Sequence, residues 1–121
     1  MKIQKFEDLE CWKKARELVR NIYQITKDKS FCRDYALVGQ IVSAAISIMN
    51  NISEGFDSQS NKEFIRFLRY ARRSTSEVQN CLYIAHDQNY IDTAIHLKST
   101  KQIEETRKII DGLLRYLKKT D

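Results

Sequence analysis

The feature of this sequence that most limits its fold is the near absence of residues that interrupt regular structure. No proline occurs in the 121 residues, and the only glycines are Gly39, Gly55 and Gly112. Turns between strands depend heavily on glycine and proline, so a strand-rich fold would lack its usual turn residues. The chain is therefore predicted to be all-α, and its length fits one domain with one core, residues 1–121.

Four stretches carry apolar residues every three to four positions, the spacing that places them on one face of a helix. The stretches run over residues 7–27 and 34–54, from Ser60 to about Asp87, and from near Asp92 to near Lys119, with an alternative restart at Ser99. Helices of this length joined by short connections pack most simply as an up-down-up-down antiparallel four-helix bundle. That is the predicted architecture.

Two boundaries have specific signals. Ser60 followed by Glu63 is a capping box, in which each side chain satisfies the other residue's free backbone N–H, so the third helix should start there. Gly55 is predicted to close the second helix, because glycine adopts the left-handed C-terminal conformation at little cost.

The second helix is unusually poor in charge. No basic residue occurs between Arg33 and Lys62, and within the helix only Asp34 and Glu54 are charged, near its two ends. Its apolar residues cover roughly 200° of the helix, which is wider than the stripe of a surface helix. Either this helix is fully buried within its own chain, or its extra apolar surface packs against another subunit. The second interpretation is favoured, and it predicts a homo-oligomer.

A polar stripe borders this apolar surface. Gln40, Ser47, Asn51 and Glu54 fall on one side of the second helix, and Gly55 follows them. Buried polar groups must be hydrogen-bonded, so the stripe is predicted to be a structural network that fixes helix register and the turn at Gly55. The alternative is a ligand or phosphate site lined by Asn51 and Glu54.

The net charge of +5 favours polyanionic partners. The basic residues form two ridges on the sides of the third and fourth helices that face away from the predicted core; they are Lys62, Arg66, Arg69 and Arg73, and Lys101, Lys108, Arg115 and Lys119. These ridges either bind RNA or DNA phosphates or simply keep a bundle soluble. No helix-turn-helix, zinc finger or RNA-stacking motif is visible, so any binding is expected to follow the nucleic-acid backbone.

Catalysis, metal binding and cofactors are not predicted. A di-iron bundle needs paired E-x-x-H elements, and no glutamate has a histidine three positions later. His86 and His96 are interpreted as surface or capping residues. The chain shows no glycine-rich phosphate loop or nucleophile elbow.

The expected compartment is the cytoplasm, without a membrane. Three cysteines without C-x-x-C spacing argue against a disulfide framework and a zinc knuckle, and favour a reducing environment. The N-terminal residues lack the apolar core of a signal peptide. The most apolar run, residues 37–49, is shorter than the roughly 20 residues that span a membrane.

Three segments resemble the bacterial four-helix bundle proteins encoded in 23S ribosomal RNA intervening sequences. The segments are Phe6-x-x-Leu9-x-x-Trp12, residues 40–55 with Ser47-Ile48-Met49-Asn50-Asn51-Ile52-Ser53-Glu54-Gly55, and Ala71-x-x-Ser74-x-x-Glu77. Arg73 stands where that family more often has glycine, and it is expected to point outward. The resemblance implies a homopentameric ring without established enzymatic activity. The family is also similar to the accessory protein of diversity-generating retroelements, a basic pentameric barrel that binds nucleic acid and a reverse transcriptase.

Overall fold

The structure, a computed structural model, describes residues 2–120. These residues form four α-helices: α1 (Glu10–Ile25), α2 (Tyr35–Asp57), α3 (Asn61–Asp87) and α4 (Thr93–Lys119). Two short 3-10 turns lie before α1 and α2, at Phe6–Asp8 and Phe31–Arg33, and the described residues contain no strand. The all-helical prediction is confirmed.

The first helix starts three residues later than predicted. Residues Phe6–Asp8 form a 3-10 turn instead of the first turn of α1, and Leu9 then has an extended backbone, so the α-helix begins at Glu10. The aromatic ring of Phe6 lies 5.5 Å from that of Trp12, which holds this entry segment against the helix.

Side chains cap the other three helices at their N-termini. Asp34 accepts a hydrogen bond from Leu37 N, and Asp92 accepts one from Ile95 N, where each helix was predicted to begin. Ser60 Oγ likewise accepts from Glu63 N at 3.3 Å, which is one half of the predicted capping box. The other half is not formed, because the Glu63 carboxylate binds Arg66 instead. The fourth helix is continuous, without the alternative restart at Ser99.

Gly55 does not cap α2, so that prediction was wrong. The helix continues to Asp57, and the left-handed residue after it is Gln59, with φ 56°. Gly55 is buried where α2 meets α3. A Cβ added to it would lie 2.8 Å from Cβ of Phe67 and 3.0 Å from Cδ1 of Phe64, so glycine is required for the close approach of the two helices.

The core contains the apolar stripes of all four helices. Its largest fully buried side chains include Leu18 and Ile22 from α1, Ile41, Ile48 and Ile52 from α2, Leu68 and Leu82 from α3, and Ile103 and Ile110 from α4. Each helix packs against two others, in the cyclic order α1, α2, α3, α4. Burial of these side chains removes their apolar surface from water, and this removal drives folding.

Contacts between α3 and α4 occur at several levels along the two helices. Asn61 Nδ2 donates to Thr120 Oγ1, Arg72 binds Asp111, and His86 Nε2 lies 3.2 Å from Thr93 Oγ1. The start of α3 therefore lies beside the end of α4, and the end of α3 beside the start of α4.

The second helix is only partly buried within one chain. Its inner side, from Leu37 to Gly55, is in the core, whereas Gly39, Gln40, Ser43, Asn50 and Glu54 are exposed. The interpretation that its own chain buries it fully is therefore wrong.

By length and composition the whole of α2 also resembles a membrane span. It has 23 residues, and its most apolar window has a mean hydropathy of 1.3. Helices in the core of a soluble protein pass the same test, so this property is weak evidence for a membrane.

Candidate nucleic-acid interface

All eight basic residues singled out on α3 and α4 are exposed. On α3 they are Lys62, Arg66, Arg69 and Arg73, and on α4 they are Lys101, Lys108, Arg115 and Lys119, of which Lys119 is the last residue of the helix. Spacings of three, four and seven residues keep each set on one side of its helix. The predicted outward orientation of Arg73 is confirmed.

The structure joins these two ridges into one surface. Arg72 Nε donates to Asp111 Oδ1 at 2.6 Å, which connects α3 to α4 between the ridges. Asp111, Lys108 and Arg115 line the same shallow groove of ≈ 360 Å³ beside this ion pair. Lys62, Arg66, Arg69, Arg73, Lys101, Lys108 and Arg115 are called the basic α3–α4 face below.

The two acids that flank the helix-four ridge are not equivalent. Asp111 binds Arg72, and this hydrogen bond together with the charge of Asp111 raises the pKa of Arg72. Glu104 is exposed and lies at the same groove. The structure therefore pairs Asp111 with an arginine that lies outside either predicted ridge.

Arg66 and Arg73 are organised around Tyr70. The Arg66 guanidinium lies 5.5 Å from the centre of the Tyr70 ring and donates to its hydroxyl at 3.2 Å, while Arg73 lies 5.5 Å from the same ring. Arg66 also donates to Glu63 at 2.7 Å, which is the main cause of its raised pKa. Cation–π contacts of this kind restrict otherwise mobile side chains.

The polar stripe of α2 forms a smaller network than predicted. Asn51 Nδ2 donates to the backbone oxygen of Ser47 at 2.8 Å and to Ser47 Oγ at 3.0 Å, and Ser74 Oγ donates to Ser47 Oγ at 3.0 Å. The network ties α2 to α3 through Ser47 and Ser74. Gln40 and Glu54 are exposed and, in the described part of the chain, take no part in it.

A second surface runs along the outward side of α2. It surrounds a groove of ≈ 730 Å³ whose lining includes Val38, Val42, Ile46, Asn50, Asn51 and Glu54. The surface formed by Val38, Gly39, Val42, Ser43, Ile46 and Asn50 is called the α2 face below. It carries no charged residue. The alternative of a ligand site at Asn51 and Glu54 would fall in this groove, where Glu54 lies next to Asn50 and Asn51.

The described residues contain no group of three or more His, Cys, Asp or Glu side chains that could hold a metal ion. His86 and His96 are ten positions apart in the sequence and lie on different helices, but their rings are stacked with centres 4.9 Å apart. Burial raises the pKa of Cys11 to about 12, so its thiol stays protonated near neutral pH.

Two of the three segments that carried the family resemblance meet in space, because Ser74 Oγ donates a hydrogen bond to Ser47 Oγ. The sequence profile of the 23S rRNA-intervening sequence protein family matches residues 7–112. This chain belongs to that family. The match includes six of the seven residues of the basic α3–α4 face, and Arg115 lies outside it.

A solved relative supports the fold of this intervening-sequence protein. The crystal structure of a protein of unknown function from the S23 ribosomal protein family of Bacteroides thetaiotaomicron VPI-5482, determined at 1.70 Å resolution, is similar to it with a TM-score of 0.78. The two sequences are 21% identical, and the similarity covers 86% of this chain and 97% of the other. No curated protein matches the sequence.

Proposed function

We propose that this intervening-sequence protein is a non-catalytic cytoplasmic homo-oligomer whose basic α3–α4 face binds the backbone of RNA or DNA. The observation that carries the proposal is the union of two basic ridges into one surface across the Arg72–Asp111 pair. The described contacts between α3 and α4 support an up-down-up-down antiparallel bundle. The pentamer is the assembly expected from the family resemblance.

Phosphate recognition follows from the chemistry of this face. Guanidinium groups give bidentate, charge-assisted hydrogen bonds to phosphate oxygens. Lys62 and Arg69 are exposed without an ion-pair partner in the described part of the chain, whereas Arg66 would exchange Glu63 for phosphate. Each phosphate that is neutralised releases counterions, so four contacts predict about a hundredfold loss of affinity between 50 and 200 mM salt.

The α2 face supports assembly. Its residues carry no charge and border a groove of ≈ 730 Å³; Gly39, Ser43 and Asn50 are exposed in one chain, and Val38, Val42 and Ile46 are partly exposed. Contiguous apolar surface of this kind is typical of contacts between subunits. A ring would present one basic face per subunit, and linked copies bind a polymer far more tightly than one copy does. The exposed polar residues of α2 as a whole, Gln40, Ser43 and Glu54, are unfavourable in a membrane.

The test combines a salt series with two charge-reversal variants. Arg66, Arg69 and Arg73 are changed together to Glu, and the matched control changes Lys13, Arg16 and Arg20 of α1, which are also exposed and alter the net charge equally. Binding to structured RNA and duplex DNA is measured by fluorescence anisotropy. The first variant should lose at least about a hundredfold in affinity, and the control much less. Equal losses would show that only total charge matters and would contradict a specific face.

The second candidate is a structural or protein-binding scaffold without a nucleic-acid role. The α2 face favours it, because a surface whose residues carry no charge suits a protein partner better than a polyanion. Light scattering on the same samples gives the oligomer mass, and the mass and the binding result together separate the two functions. An oligomer that binds no nucleic acid even at low salt would support the scaffold function, and the basic residues would then serve solubility.

A further inference from the structure

Three large apolar side chains are exposed at the end of the α3–α4 surface opposite Lys62. Tyr83 is 54% exposed, Ile84 41% and Leu97 65%. Tyr83 and Ile84 lie in the last turns of α3, and Leu97 lies in the second turn of α4. The proposed backbone binding does not use these residues.

Contacts from both helices hold the Tyr83 ring in place. The edge of the ring meets His96 with centres 4.9 Å apart and an angle of 74° between the planes. His96 stacks on His86 at 4.9 Å and 22°, and His86 in turn meets Thr93. The other exposed tyrosines, Tyr23, Tyr35 and Tyr116, have no ring–ring contact among residues 2–120. Tyr83 is thus an exposed aromatic ring on an ordered support.

This aromatic end continues from the basic face. Leu97 lies one helical turn before Lys101 on α4, and Tyr83 follows Arg73 by ten residues on α3. At 1.5 Å per residue, Arg73 and Tyr83 are about 15 Å apart along the helix, a length that corresponds to about four phosphates of one duplex strand. A backbone bound along the arginines would therefore reach Tyr83 within a few nucleotides.

An exposed aromatic ring beside a phosphate-binding surface suits an unpaired base. Every base has a π-face, so stacking tolerates sequence and changes affinity by about tenfold or more for one base. A base inside a duplex has both faces covered by its neighbours and is not available. We infer that the basic α3–α4 face prefers nucleic acid in which an unpaired nucleotide adjoins the bound backbone, and that its base stacks on Tyr83. This inference rests on the proposed function.

Two probes and three variants test it with the full-length oligomer. The probes are a blunt RNA duplex and the same duplex with a short unpaired tail. Wild-type protein should bind the tailed probe more tightly. Tyr83→Ala should weaken binding to the tailed probe about tenfold and leave the affinity for the blunt probe unchanged. Tyr83→Phe should bind the tailed probe as tightly as wild type. Tyr116→Ala, a 43% exposed tyrosine elsewhere on α4, should alter neither probe.

A fluorescent adenine analogue in the tail gives an independent readout, because stacking on tyrosine should quench it in wild type and in Tyr83→Phe only. Equal wild-type affinity for both probes, or an equal loss on both in Tyr83→Ala, overturns the inference and leaves the proposed function intact. A changed oligomer mass in Tyr83→Ala with unchanged tail preference assigns the patch to a contact between copies and also overturns it. Failure of wild type to bind either probe instead refutes the proposed function.

Discussion

The α2 face, which is exposed or partly exposed in a single chain, differs in charge and polarity from the exposed basic α3–α4 face. The six residues of the first carry no charge and include Val38, Val42 and Ile46, whereas the second holds seven cations. Charged side chains are well solvated and gain little from being covered by protein. An uncharged apolar surface gains from cover by protein, so the two faces are suited to different partners.

The largest effect should come from placing charge on the α2 face. Val42→Glu with Ile46→Glu puts two carboxylates into the proposed contact, and buried unpaired charges are strongly unfavourable. We expect the assembly to dissociate to a folded 14.3 kDa chain, measured by light scattering, with helical content unchanged. Ala94→Glu, at an exposed site in the first turn of α4, is the control and should keep the wild-type mass. A variant that assembles normally would show that α2 faces solvent.

Thiol labelling compares directly how accessible the two faces are in the assembly. In a Cys32→Ser background, Ser43→Cys reports on the α2 face and Ser76→Cys on the outward side of α3, and both serines are exposed in one chain. At pH 8 the Ser43→Cys thiol should react at least about tenfold more slowly in the assembly. Native Cys11 stays silent because burial raises its pKa to about 12, and Cys81 because burial also raises its pKa. Equal rates would contradict a covered α2 face.

The two glycines of α2 lie on different sides of the helix, Gly55 buried on its inner side and Gly39 exposed on its outer side. Gly55→Ala should lower the free energy of unfolding by about 1–2 kcal/mol, since overpacking against Phe67 outweighs the better helix propensity of alanine. Gly39→Ala meets nothing within 4 Å in one chain and should add up to about 1 kcal/mol. Chemical denaturation measures both values. A weaker assembly in Gly39→Ala would show instead that a neighbouring copy lies close to this glycine.

The smallest effect concerns the ion pair that joins the two basic ridges. Asp111→Asn removes the carboxylate that occupies Arg72 and adds one cation to the α3–α4 face. We expect RNA affinity to rise about threefold at low salt. The slope of log affinity against log salt concentration should steepen by at most the amount that one phosphate contact contributes. Glu105→Gln, which removes a similar charge near Lys14, is the control. A loss of affinity would mean that the pair positions the face rather than neutralises it.

The sequence predicted the helices well because their signals are local. Ser60 and Asp92 mark N-termini through hydrogen bonds to residues three positions later, and periodicity identifies the core side of each helix. Gly55 was misassigned because a glycine near a helix end is compatible with a cap and with close helix packing. Only the position of Phe67, from another helix, distinguishes the two.

The candidate surface was predicted residue by residue but not as a whole. Each ridge follows from the spacing within one helix, whereas their union depends on how α3 lies beside α4. Arg72 and Asp111 set that register through a contact across 39 positions, which no local pattern reveals. Tyr83 was missed for the same reason, because the ring that supports it belongs to α4.

The incomplete burial of α2 also has a consequence for thermodynamics. If a second copy covers the exposed side of this helix, part of the free energy of the folded state comes from association, and it then varies with protein concentration. The melting temperature of such a protein rises as the sample becomes more concentrated. A newly made chain at low concentration would also expose its most apolar helix until it meets other copies, so the rate of synthesis would influence how much protein reaches the assembled state.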